Sequence, residues 1–104
     1  MKFASKLYVT EGIKDSKSLR FKLKHGKKWC GLYVIVLSPG RDELEIYHCG
    51  LLRQSYYRNY PLWVVGLAGS REEAFELVGK IVEDIYAKTG QYKIKEYLKQ
   101  QFHK

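Results

Sequence analysis

The 104-residue chain reads as an α+β domain: a mostly antiparallel sheet of about five strands over residues 6–68, then two helices at 70–88 and 92–102 packed on one face. Three observations predict this. Apolar residues alternate with period two through several short runs in the first two thirds of the chain. Pro, Gly, Asn and Asp separate those runs. At Ser70 the period changes to that of an amphipathic helix and stays there. The length corresponds to a single domain, residues 1–104, which buries roughly 65% of its unfolded surface and needs no staple.

Each strand has its own signal. KLYVT (6–10) places Leu7 and Val9 on one face, and EGIKDSKS (11–18) is a polar connection. LRFKLK (19–24) alternates: Leu19, Phe21 and Leu23 face inward and Arg20, Lys22 and Lys24 outward, which predicts a half-buried strand. HGKK (25–28) is a turn. WCGLYVIVL (29–37) is β-branched, aromatic and apolar on both faces, as a central strand must be. SPGRD (38–42) is a Pro-Gly turn. ELEIYH (43–48) sets Leu44, Ile46 and His48 opposite Glu43, Glu45 and Tyr47. LWVVGLA (62–68) is the fifth strand.

The helices are signalled as clearly. Ser70-Arg71-Glu72-Glu73 has the spacing of a capping box, with Ser at the N-cap and Glu three residues on. Ala74, Leu77, Val78, Ile81, Val82 and Ile85 form one stripe at i, i+3, i+4, i+7, i+8 and i+11. Asp84 and Lys88 stand in the favourable i,i+4 order, and Gly90 ends the helix. Over 92–102, Ile94, Tyr97, Leu98 and Phe102 share a face.

The net charge of +8 is unevenly distributed. Residues 1–28 hold nine basic residues against Glu11 and Asp15, a local balance of +7, and the remaining chain is close to neutral. Such asymmetry suits a polyanionic partner. Cys30 and Cys49 sit in apolar runs, as buried free thiols of a reducing compartment do. The N-terminal stretch lacks the apolar core of a signal peptide, and no apolar run approaches the roughly 20 residues of a membrane span. The sequence therefore reads as cytoplasmic and without a membrane partner.

Motifs of catalysis and cofactor binding are weak. Cys30, Cys49, His25 and His48 make a nominal Cys2His2 set, but without the paired spacing that zinc requires. No nucleophile elbow surrounds either cysteine. GLAGSREEA (66–74) joins a strand to a helix through glycines, yet it matches neither phosphate-loop pattern, and Glu72 and Glu73 occupy the turn an anion would approach. The expectation is a non-enzymatic domain with no cofactor and no metal.

What remains is a basic run and an aromatic loop. Arg20, Lys22, Lys24, Lys27 and Lys28 suit phosphate contacts, which are independent of sequence and sensitive to salt. LRQSYYRNYPLW (52–63) interleaves Tyr56, Tyr57 and Tyr60 with Arg53 and Arg58, a composition that stacks bases and holds phosphates. These ten residues form the candidate interface for DNA or RNA. The other reading is a protein-interaction or structural module, including a homo-oligomer, with the open sheet face or a β edge at 52–63 as its contact surface.

LYVIVLSPGRDELEIYH and GLAGSREEAFELVGKIVEDIY resemble segments of short, uncharacterised proteins of Gram-positive bacteria, some of them from mobile genetic elements. The resemblance brings no active residues. At the level of fold, LRFKLKHGKKWCGLYVIV followed by SREEAFELVGKIV is similar to the arm-type DNA-binding domains of tyrosine integrases, in which a three-stranded sheet precedes a helix and enters the major groove. That analogy implies DNA contact through the sheet. It departs from this chain in the number of strands, in the second helix and in the apolar third strand.

Overall fold

The computed structural model describes residues 2–14, 17–24, 31–38, 41–50 and 62–102, with residues 22–24 and 101 described by their backbone alone. The elements are β1 (Lys2–Val9), α1 (Lys17–Lys24), β2 (Tyr33–Leu37), β3 (Leu44–His48), β4 (Trp63–Ala68), α2 (Arg71–Thr89) and α3 (Ile94–Lys99), followed by a 3-10 turn over Gln100–Phe102. The strands form one sheet in the order β1-β4-β2-β3. β2 runs antiparallel to β3 and to β4, whereas β1 runs parallel to β4. The domain is α+β with two C-terminal helices, as expected. The sheet is four-stranded and mixed, where five mostly antiparallel strands were expected.

The difference lies at LRFKLK, which is helical. Six alternating residues are a short signal that tertiary packing can override. At about 100° per residue, Leu19 and Phe21 fall on opposite sides of a helix, so only one of them can be buried. Leu19 packs onto the sheet and Phe21 is 55% exposed. The helix satisfies its own backbone hydrogen bonds and carries the chain from β1 to β2 without a hairpin.

β4 has the most buried surroundings. Val64, Val65, Leu67 and Ala68 have no exposure, and Leu62 just before them has 1%. Its register against β2 slips by one residue, since Ile35 pairs with Gly66 but Val36 with Val64. This bulge sends Val64 and Leu67 to one face and Val65 and Ala68 to the other. β2 alternates regularly beside it, with Val34 and Val36 on the first face and Ile35 and Leu37 on the second.

Both faces are covered. Ala74, Leu77, Ile81 and Ile85 of α2 and Ile94 and Leu98 of α3 pack on the second face. The first face, expected to be open, is also buried, and Phe3, Ile13 and Leu19 of the N-terminal region pack against it. α2 begins as its sequence requires: Ser70 is extended and its Oγ accepts from the Glu73 backbone N–H at 3.1 Å. It ends at Gly90, whose φ of 74° is left-handed and whose N–H returns to the Tyr86 carbonyl.

α2 approaches the sheet at Gly66. A Cβ there would lie 3.2 Å from the Tyr8 carbonyl oxygen and 3.4 Å from both Ile35 Cδ1 and Leu77 Cδ2. Gly66→Val is expected to destabilise the domain by about 1–3 kcal/mol through overpacking. Gly79→Ala, on the same helix with nothing within 4 Å of a Cβ, is expected to stabilise it by about 0.5–1 kcal/mol. Urea midpoints of the two variants, moving in opposite directions from the parent, check both.

Candidate functional site along the edge strand

β1 is an edge of the sheet, and its pairing with β4 is interrupted. Phe3 pairs with Val64 and Tyr8 with Gly66, so five steps along β1 match two along β4. Of the two residues expected on one face, Leu7 is buried, as is Ala4, and Val9 is 36% exposed. The irregularity leaves Ser5 and Lys6 exposed and directs Tyr8 toward the helices. Bulged edges commonly redirect side chains in this way.

Tyr8 donates a hydrogen bond of 2.6 Å to Asp84 Oδ2 on α2. Lys88, one turn further on, reaches the same oxygen at 3.3 Å. Lys6, Tyr8, Asp84, Lys88 and Tyr97 line a cavity of about 150 Å³ between β1, α2 and α3, closed on its apolar side by Leu7 and Leu98. The ionisation of its groups follows from these contacts. The bond from Tyr8 is the main reason the Asp84 carboxyl is held below its ordinary value, with Lys88 and Lys6 adding to it. Burial first, and then Asp84, push the Tyr8 phenol above its ordinary range. A hydrogen bond with Tyr97, followed by Asp84, holds Lys88 charged.

Further along the same edge, the ammonium groups of Lys2 on β1 and Lys99 on α3 lie 5.8 and 5.9 Å from the centre of the Trp63 ring. Phe102 packs against that ring with centroids 5.0 Å apart. Arg20 of α1 stands 5.6 Å from the Phe3 ring centre and donates to the Ser5 carbonyl at 3.4 Å. Lys88 is 6.0 Å from the Tyr97 ring centre. β1 and its neighbours thus gather Lys2, Lys6, Arg20, Lys88 and Lys99, most of them seated on aromatic rings. Asp84 stands among them, engaged by Tyr8 and Lys88, and the C-terminal end of β1 borders a groove lined by Glu11, Glu73, Glu76 and Lys80.

Three of the residues expected to bind nucleic acid fall on α1. Arg20 joins the edge just described, and Lys22 and Lys24 follow on the same helix rather than on a strand. Lys27, Lys28, Arg53, Tyr56, Tyr57, Arg58 and Tyr60 lie outside the described residues. Lys2, Lys6, Tyr8, Trp63, Tyr97 and Lys99 join the site without a local motif that marks them. The one local signal is the i,i+4 spacing of Asp84 and Lys88, which by itself predicts only support for the helix. Cys49 is buried, and Cys30 lies outside the described residues. Among the described residues no three His, Cys, Asp or Glu side chains gather as metal ligands, and no helix is long and apolar enough to cross a membrane.

Comparison with protein-family models, curated proteins and solved structures gives no match to this chain. The site is therefore read from its own chemistry.

The Tyr8–Asp84 bond makes a pH-dependent prediction. Because the folded pKa of Asp84 is lowered, its contribution is fully present above the ordinary carboxylate range and is lost as pH falls through the folded value. Tyr8→Phe is expected to cost about 1 kcal/mol at neutral pH, the modest end for a charged acceptor because the carboxylate is partly exposed. The cost should shrink as the solution is acidified. Urea unfolding of both proteins at neutral and at acid pH measures it; a difference that does not change with pH would mean the hydroxyl acts through packing alone.

Proposed function

We propose that this is a non-enzymatic accessory domain that binds nucleic acid through backbone phosphates, using the basic edge of the sheet. The reading rests chiefly on one arrangement: Lys2 of β1 and Lys99 of α3 stand over Trp63, and Lys6 of β1 and Lys88 of α2 line the cavity further along the same edge of the sheet. Arg20 extends the surface onto α1. Lys22, Lys24, Lys27 and Lys28 continue the same basic stretch of sequence, and Arg53, Tyr56, Tyr57, Arg58 and Tyr60 complete the candidate set for DNA or RNA. Cations spaced along an edge suit a polyanion, whose affinity comes from neutralised charge and released counterions. The same reading makes the domain an intracellular one.

A protein-interaction module is the alternative. It is favoured by Tyr86 and Tyr92, which stack with centroids 4.5 Å apart while remaining 47% and 61% exposed. Paired aromatics in water are a common feature of protein contact surfaces.

Fluorescence anisotropy with labelled single- and double-stranded DNA and RNA separates the two. Phosphate binding predicts a log–log dependence on salt with a slope of about −0.7 to −0.9 per contact. Reversing three cations together (Lys2→Glu, Lys6→Glu, Lys99→Glu) should weaken binding and flatten the slope by about 2–3. Circular dichroism verifies that the variant folds. Binding that ignores both salt and the triple reversal, or a concentration-dependent dimer by sedimentation with no oligonucleotide bound, would favour the alternative.

A further inference from the structure

We propose that the groove between β3 and α2, on the side of the sheet away from β1, binds a small apolar carboxylate. The groove has a volume of about 560 Å³, within the range of ligand sites. Leu44 and Ile46 of β3 and Val78 of α2 form its apolar floor, with Tyr33 and Phe75 as aromatic walls. Phe75 is 58% exposed, a large apolar ring in water that a ligand's body would cover.

The two remaining lining residues, His48 and Arg71, supply donors. The Gly50 backbone N–H donates to His48 Nδ1 at 3.1 Å. Nδ1 is therefore the acceptor, and in the neutral ring Nε2 carries the proton. The ring is held edge-on to Tyr33, with centroids 5.0 Å apart. The Arg71 guanidinium lies 5.6 Å from the centre of the Phe75 ring. Among the described residues no carboxylate stands within ion-pair distance of it.

The nearby acids are turned elsewhere. The Glu73 carboxylate lies against Gly69 on the other side of the helix start. Glu43 pairs with Arg41. Glu45 accepts from the Tyr47 hydroxyl. Glu72 is one residue from Arg71, about 100° round the helix. A flat apolar body with one carboxylate complements this lining: the ring covers Phe75 and Val78, and the anion meets Arg71, the best bidentate partner for a carboxylate. A neutral analogue would lose that contact.

The test uses 2-naphthoate and the neutral 2-naphthamide as probes, titrated into the full chain and followed by two-dimensional NMR. Naphthoate at millimolar concentration is expected to shift resonances of Tyr33, Ile46, His48, Phe75 and Val78, and to bind at least about tenfold more tightly than naphthamide. Arg71→Gln should bring naphthoate down to the affinity of naphthamide and leave naphthamide unchanged. Phe75→Ala should weaken both. Spectra of the unliganded variants report their folding. Equal binding of the two probes, no effect of Arg71→Gln, or shifts confined to the Lys2–Lys99 edge would overturn the proposal.

Discussion

The fold depends on burying β4 on both edges and both faces. A strand in that position needs apolar side chains in both directions, and Val64, Val65, Leu67 and Ala68 provide them. Regular alternation would carry residues 64 and 66 to one face and 65 and 67 to the other. The bulge against β2 instead gives Val64 and Leu67 to one face and Val65 and Ala68 to the other, and turns Gly66 under Leu77. That glycine lets α2 sit close enough for Leu77, Ile81 and Ile85 to join Ile35 and Val65 in one cluster. The parallel partner follows from the same demand. With β2 on one edge of β4, the other edge is closed by β1, from the opposite end of the sequence.

Closing β4 leaves β1 and β3 as the outer strands among those described. β1 carries Lys2 and Lys6 and is flanked by Arg20, Lys88 and Lys99, with Asp84 among them and Glu11, Glu73 and Glu76 toward its far end. The β3 side carries Asp42, Glu43 and Glu45 beside Arg41 and Lys95. Lysines and an irregular register on an edge strand also discourage pairing with a second sheet, so the basic edge has a structural use whether or not it meets phosphate. The further feature is the aromatic support. Trp63, Phe3 and Tyr97 each lie beneath a cation, which limits the rotamers of side chains that would otherwise sweep freely through water.

Where a local signal was unambiguous, the sequence was enough. Ser70 and Gly90 bracket α2 as their chemistry requires, and the two-sided apolar run of β2 placed it inside the sheet. The alternation of β3 also held, with Leu44 and Ile46 directed toward α2 and Tyr47 away from it. LRFKLK departed from its alternation because tertiary context overrode a short local signal: as a helix it lays Leu19 on the cluster of Val34 and Val64 and leaves Phe21 exposed. The parallel β1–β4 pairing is non-local and leaves no trace in either segment. The site was less legible than the fold for the same reason. Tyr8 and Asp84 are 76 residues apart in sequence, and only the slipped register of β1 brings the phenol to the carboxylate.

The aromatic residues of the described edge have a part of their own, separate from the stacking proposed for Tyr56, Tyr57 and Tyr60. Tyrosines beside arginines in a sequence read as a platform on which bases stack. On the described basic edge, the ring of Trp63 already holds Lys2, Lys99 and Phe102 as neighbours, and that of Phe3 holds Arg20. A ring so occupied serves to position ammonium and guanidinium groups and offers little face to a base. Under the proposed reading, this edge would therefore contact the phosphate backbone, and discrimination between nucleotides would have to come from elsewhere. Phosphate contacts fix register and orientation without reading sequence, so under that reading the edge would act as a general polyanion surface.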